Sequence, residues 1–214
     1  MNATFFYWGP LLVTFDTPKQ VAKDILVRFK NETNVKSANY DLASIIEDTK
    51  FILSEESKRY FVNLVLDQYL EQYCSILFNE YNLFNEKERT TSKTFQRMAK
   101  RKVKLLDLWI NTQKTAEVNP VHIHSDDISF VYYLQIPETI EQERAKYEGT
   151  SPGPGSITFQ YGEPSNAFWS RTAHTFFPVV GQLFIFPSKL QHYVQPFYGS
   201  GERISVSGNL IFLD

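Results

Sequence analysis

The sequence predicts an α+β protein in which a helical N-terminal half buttresses an antiparallel sandwich or jelly roll. Three observations carry that prediction. Apolar residues recur at three-to-four spacing before about residue 82, and the period changes to two from about Lys102. The later apolar runs are short and are separated by Gly, Pro, Asn and Ser clusters, as in sandwiches and jelly rolls. Aromatic residues are abundant, with 18 Phe, 12 Tyr and 3 Trp among 214 residues. Such side chains suit a pleated, half-buried surface.

The elements follow in order. Near the N-terminus, Tyr7, Trp8 and the run Leu11-Leu12-Val13 are expected to add a strand to the protein's own sheet, or to pair with a neighbour's edge. The oligomeric expectation is therefore a monomer or homodimer. Thr17 before Pro18 reads as an N-cap followed by proline at the first helical position. Val21, Ile25, Leu26 and Phe29 then share one face. Ser54, with Glu55 and Glu56, opens a longer helix to about Asn82. Its stripe of Val62, Val65, Leu66, Tyr69, Tyr73, Ile76 and Leu77 is wide enough to bury against a sheet. From Lys102 the strand-like runs are KLLDLWINT, NPVHIH, SFVYYLQIP, GSITFQYG, QLFIFPS, HYVQPF and RISVSGNLIFL. Pro137–Ser156, ending in GTSPGPGS, reads as a loop placed to cover a barrel mouth. Residues 1–100 are thus a helical buttress and 101–214 the β core of the same domain.

Composition excludes several classes. With 22 basic and 24 acidic residues the net charge is −2 and the pI about 6.1. So weak a field predicts neither duplex nucleic acid nor a membrane surface as partner. The run Lys100-Arg101-Lys102 with Lys104 reads as a solvated face. Cys74 is alone, which excludes an intrachain disulfide and any thiolate-rich metal site. A reducing, intracellular and cytoplasmic setting follows as an expectation. The N-terminus has no basic n-region, and no window holds 18 uninterrupted apolar residues.

The chemistry lies in the strand-rich half. His122 and His124 stand two apart, so on a strand they project from one face. His192, distant in sequence, supplies a third imidazole and leaves coordination positions open. A competing set is His124, Asp126 and His192, because His124-Ser125-Asp126 is itself His-x-carboxylate. A third arrangement keeps all three histidines and uses Asp126 or Asp127 as an acceptor that orients an imidazole. A bare His-x-His also occurs as a hydrogen-bonded pair with no metal. Arg203 and Ser205 share a strand face, and together offer a rigid fork and a hydroxyl to a carboxylate. On a surface, Arg203 would instead pair with Glu202.

The strings NPVHIHSDDISFVYYLQIP, GSITFQYG, GQLFIFPSKLQHYVQPF and GERISVSGN resemble the iron(II)/2-oxoglutarate oxygenases of marine T4-like phages and some bacteria. The resemblance spans about residues 105–212. It implies a double-stranded β-helix, cupin-like and related to the prolyl hydroxylases. By the same resemblance His122, His124 and His192 hold iron(II), and His124 stands where the wider superfamily has an aspartate. Arg203, Ser205 and Tyr133 hold the far carboxylate of 2-oxoglutarate. The implied activity consumes 2-oxoglutarate and O2, releases succinate and carbon dioxide, and hydroxylates a C–H bond. An intracellular location becomes the host cytoplasm if a phage encodes the chain.

Three other readings fit the same residues. One is a three-His cupin-type dioxygenase that needs no 2-oxoglutarate, another a non-catalytic jelly-roll module, and a third a zinc hydrolase. For the substrate, Tyr161, Phe168, Trp169 and His174 are candidates to line the mouth. An aromatic entrance suits an extended protein or peptide segment, and His174 also reads as an ordinary surface histidine.

Overall fold

The computed structural model describes residues 9–39, 43, 45–80, 86–162 and 171–214. Tyr7, Trp8, Phe168 and Trp169 lie outside that set. The chain begins with strand β1 (Val13–Asp16), helix α1 (Lys19–Lys30) and strands β2 (Val35–Ser37) and β3 (Asp48–Ile52). Helix α2 (Glu55–Phe61) continues through a π-turn stretch (Val62–Leu66) into α3 (Asp67–Ser75) and a second π stretch (Ile76–Glu80). Two short helices follow, α4 (Glu86–Thr91) and α5 (Lys93–Ala99). Then come β4 (Val103–Gln113), β5 (Asn119–His122), β6 (Ile128–Gln135) and α6 (Glu138–Ala145). The chain closes with β7 (Ile157–Gln160), β8 (Ala173–Phe176), β9 (Gln182–Pro187), β10 (Gln191–Val194) and β11 (Arg203–Phe212).

Among the described residues all strand pairings are antiparallel. A seven-stranded sheet runs β1-β9-β6-β11-β4-β3-β2, and a four-stranded sheet runs β5-β10-β7-β8. Period-two alternation decides what each face of the larger sheet meets. Phe130, Tyr132 and Leu134 of β6, with Leu183 and Ile185 of β9, join the core under the helices. Val131, Tyr133, Phe184 and Phe186 point the other way, against Ile157, Phe159, Leu190 and Val194 of the smaller sheet and its turns. The molecule is therefore layered as helices, large sheet, small sheet.

Phe61 is fully buried and fixes the helical layer. Its ring stacks on Phe130 at 5.6 Å and meets Tyr132 edge-on at 6.0 Å. Gly208 of β11 lies beneath that stack. A Cβ there would come within 2.7 Å of the Phe130 ring and 2.5 Å of the Asp107 carbonyl. Only glycine permits that approach.

The structure differs from the sequence expectation in four places. β2 and β3 insert strands into the half read as helical, whereas β1 is the strand expected from the Leu11-Leu12-Val13 run and pairs with β9 of its own sheet. Pro18, not Thr17, occupies the N-cap of α1. The Thr17 hydroxyl is instead held by the Tyr132 hydroxyl at 2.6 Å and the Gly181 carbonyl at 3.0 Å, which ties the helix start to the sheet. The π turns displace the long helix's buried stripe, so that Cys74 and Phe78 are buried at its C-terminal end. Within the expected loop at 137–156, residues 138–145 form α6, which buries only Ile140. Ser54 does cap α2 as expected, accepting from the Ser57 amide at 3.2 Å.

Candidate active site

The two sheets diverge enough to leave a cavity of about 110 Å³ between them. One end is built by histidines. Strands β5 and β10 pair with His122 directly opposite His192, and their rings sit 4.1 Å apart. His124 lies just beyond the end of β5, where its amide donates to the Ser188 carbonyl at 2.8 Å. Its ring rests 5.6 Å from the Trp109 ring. Ligand nitrogens of the three imidazoles all lie within 4.8 Å of one another. Among the described residues they are the one cluster of three or more His, Cys, Asp or Glu side chains suited to a metal ion.

The tautomers of two rings follow from their partners. Nδ1 of His122 is 2.7 Å from the Pro120 carbonyl, and Nδ1 of His192 is 2.9 Å from the Leu190 carbonyl. A carbonyl only accepts, so each Nδ1 carries the proton and donates it. That tautomer leaves the lone pair on Nε2 of each ring. Backbone carbonyls thus do the orienting that the sequence reading offered to Asp126 or Asp127. Asp127 is engaged elsewhere, accepting from Arg97 Nη2 at 3.0 Å and from the Phe212 amide at 2.9 Å. Asp126 lies outside the imidazole cluster and borders a second cleft beside Asp107, Trp109 and His124. Its carboxyl is held above the usual value by burial and by the charges of Asp107 and Asp127.

Burial keeps all three imidazoles neutral. It lowers His122, takes His124 down to about 4 and His192 to about 3, and the neighbouring imidazole charges push the last two the same way. Neutral imidazole is the metal-binding form, so no proton has to be displaced at pH 7. There is a consequence for the metal-free protein. Unfolded histidines take up protons near 6.5, whereas the folded ones resist to lower pH, His124 and His192 furthest. Stability contributed by these groups is complete above about pH 6.5 and is lost as the pH falls toward 3. Urea midpoints of metal-free protein should fall between pH 7 and pH 5, a window above most carboxylate titration. A flat profile there contradicts the neutral burial of the triad.

The other end of the cavity is cationic. Arg203 opens β11 and is 4% exposed. Its Nη1 donates to the Gly155 carbonyl at 2.8 Å, and the guanidinium lies 5.7 Å from the Tyr133 ring centroid. Among the described residues no carboxylate pairs with it, Glu202 included. Burying an ion costs several kcal/mol unless a counter-charge offsets it. A buried guanidinium with one carbonyl acceptor is therefore built to receive an anion. Ser205 stands on the same face, opposite Tyr133 on β6 and Asn111 on β4. Burial holds the Tyr133 phenol above its ordinary value against the pull of Arg203, so it remains a neutral hydroxyl.

Residues not anticipated from the sequence complete the walls. Trp109, Asn111 and Gln113 project from alternate positions of β4, with Ser207 across from Trp109 on β11. Asn119 adds a carboxamide from β5. The polar end Asn111-Thr112-Gln113 of a strand that buries Asn111 and Gln113 was the available signal. Phe159 stacks on His192 at 5.8 Å and Phe186 meets it edge-on at 4.8 Å. Tyr161 is exposed and borders a separate apolar groove with Pro10, Leu11 and Phe212, not this cavity. His174, on β8, is exposed.

An α+β jelly roll with a histidine cluster at one end of the barrel and a buried arginine at the other defines the class. Residues 107–209, just under half the chain, match the family model described as "Putative 2OG-Fe(II) oxygenase". No curated protein matches the sequence. Several solved structures share the fold. HygX from Streptomyces hygroscopicus, with nickel, 2-oxoglutarate and hygromycin B bound, superposes with a TM-score of 0.57 at 12% identity, over 95% of this chain and 82% of that one. A prolyl hydroxylase of Trichoplax adhaerens, in complex with a hypoxia inducible factor peptide fragment, gives 0.53 at 12% identity over 95% and 83%. The viral collagen prolyl hydroxylase of Paramecium Bursaria Chlorella virus-1, a 2-oxoglutarate complex, gives 0.52 at 14% identity over 93% and 94%. The family match, the fold and the imidazole cluster support Fe(II)/2-oxoglutarate oxygenase chemistry, with iron(II) and 2-oxoglutarate as the cofactors.

Proposed function

We propose that the protein is an Fe(II)/2-oxoglutarate-dependent dioxygenase that hydroxylates a side chain of a protein or peptide. One observation carries the reading: a single cavity has three neutral imidazoles at one end and an unpaired, buried guanidinium at the other. In this reading His122, His124 and His192 hold iron through Nε2 or an equivalent nitrogen. Arg203, Ser205 and the Tyr133 hydroxyl take the far carboxylate of 2-oxoglutarate. With both held there, the chemistry supplied would be O2-dependent decarboxylation of 2-oxoglutarate to succinate and carbon dioxide, with the second oxygen atom going into a C–H bond. The chain's own part is orientation and exclusion of water. Val131, Ile157 and Phe186 supply apolar walls, which strengthen the electrostatics of the clamp.

Support for a peptide substrate comes from the cleft beside His124. It is lined by Phe51, Leu53, Trp109 and Ile123, and Leu53 and Ile123 are about half exposed. An open cleft that sets these apolar side chains beside Lys58, Asp107 and Asp126 and reaches His124 suits an extended chain with apolar and charged groups. The prolyl hydroxylase from Trichoplax adhaerens is itself a peptide complex. Among the described residues no helix is long and apolar enough to cross a membrane. Cys74 is buried, with its thiol pushed up to about 11 by burial, and an unreactive lone thiol suits a reducing, intracellular setting.

A second reading is favoured because, among the described residues, no carboxylate joins the imidazole cluster. In it the three histidines serve an oxygenase that does not use 2-oxoglutarate. The test incubates the protein with iron(II), 2-oxoglutarate, air and proline-containing peptides, following succinate release and peptide mass. Succinate released together with a 16 Da gain supports the proposal. Oxygen consumption without succinate moves the second reading ahead.

A further inference from the structure

Gln113 is 1% exposed and lines the cavity, and its buried Oε1 has no hydrogen-bond partner. The orientation of this carboxamide is fixed, because Nε2 donates to the Glu117 carbonyl at 2.5 Å and a carbonyl cannot donate in return. Oε1 is therefore a buried acceptor in need of a donor, and leaving it unmet costs about 1–3 kcal/mol. Directly across the β4–β11 ladder, in register, stands Arg203. Facing side chains on one sheet face have Cβ atoms about 4.5–5.5 Å apart. Of the guanidinium's five N–H donors, one is spent on Gly155. A surplus of donors thus faces a surplus acceptor across one rung of the sheet, yet no hydrogen bond joins them.

A carboxylate received by the guanidinium fork takes two donors, aligns the plane of the group and leaves a lateral N–H. We propose that Gln113 is a positioning residue of this clamp, its Oε1 accepting that lateral N–H of Arg203 and setting the plane of the fork. The inference rests on the proposed 2-oxoglutarate reading and extends it to a residue on another strand. Asn119 also leaves Oδ1 buried and unpaired in the cavity. Among the described residues no hydrogen bond fixes which way its carboxamide turns. It carries no part of the proposal.

The test measures binding to the full chain loaded with manganese(II), by calorimetry, for 2-oxoglutarate and for 2-oxobutanoate, which lacks the far carboxylate. Gln113→Leu should weaken 2-oxoglutarate about tenfold, the scale of one hydrogen bond to a charged group, and leave 2-oxobutanoate unchanged. Gln113→Glu should weaken it further, because the new carboxylate pairs with Arg203 and competes for the fork. A merely structural role for Gln113 predicts equal losses for both ligands. Equal losses, or Gln113→Leu binding 2-oxoglutarate as wild type does, overturn the inference and leave the clamp standing. Wild-type protein that distinguishes the two ligands by less than threefold overturns the clamp itself, and the inference with it.

Discussion

Arg203→Ala should abolish turnover of 2-oxoglutarate, measured as succinate release, while leaving the metal-free protein folded. The size of the effect follows from burial. Removing one partner of a buried, hydrogen-bonded charge pair costs about 2–5 kcal/mol, roughly thirty-fold to several thousand-fold in affinity. Stability of the metal-free protein should change far less. The deleted guanidinium has no carboxylate partner among the described residues, so the loss of packing is offset by relief of an uncompensated buried charge. Arg203→Lys should recover only part of the binding, since an ammonium cannot present the planar fork. An Arg203→Ala protein with near-wild-type turnover contradicts the assignment.

His192→Ala should remove metal binding. Changes to groups that merely orient a ligand typically cost 10–100-fold in metal affinity, and deletion of one of three ligands should exceed that. The ring is 5% exposed and is held between Phe159 and Phe186, so the variant also leaves a cavity, and near-ultraviolet dichroism should check its packing. His174→Ala is the matched control. His174 is exposed on β8 and its loss should leave iron binding unchanged. Unaltered iron affinity in a folded His192→Ala protein removes His192 from the site.

What the sequence made legible follows from how much each element buries. β6, β9 and β11 are almost wholly buried, so their apolar runs stand out. β2 and β8 are short and mostly exposed, and nothing in their residues marks them as strands. α6 buries a single residue and therefore shows no helical period. At the site, the period-two rule brought His122 and His124 to one face, although His124 in fact lies beyond its strand. That rule also joined Arg203 to Ser205. It could not provide register, which is what sets His122 opposite His192 and Gln113 opposite Arg203. Register depends on the whole sheet, so the carboxamides of β4 had no visible partner until the strands were aligned. The sequence left His122 and Asp126 as alternatives beside His124 and His192, and only in three dimensions do the imidazole nitrogens come within 4.8 Å of one another.

The central claim is that one cavity holds a metal at its histidine end and a 2-oxo acid anchored at its arginine end. An anaerobic titration tests it most directly, adding iron(II) to metal-free protein and then 2-oxoglutarate. Chelation of the metal by the 2-oxo acid produces a metal-to-ligand charge-transfer band in the visible spectrum. The account predicts that this band develops in wild-type protein and fails to develop in Arg203→Ala at the same concentrations. Iron that binds without the band in wild type, or protein that takes up no iron, would contradict it.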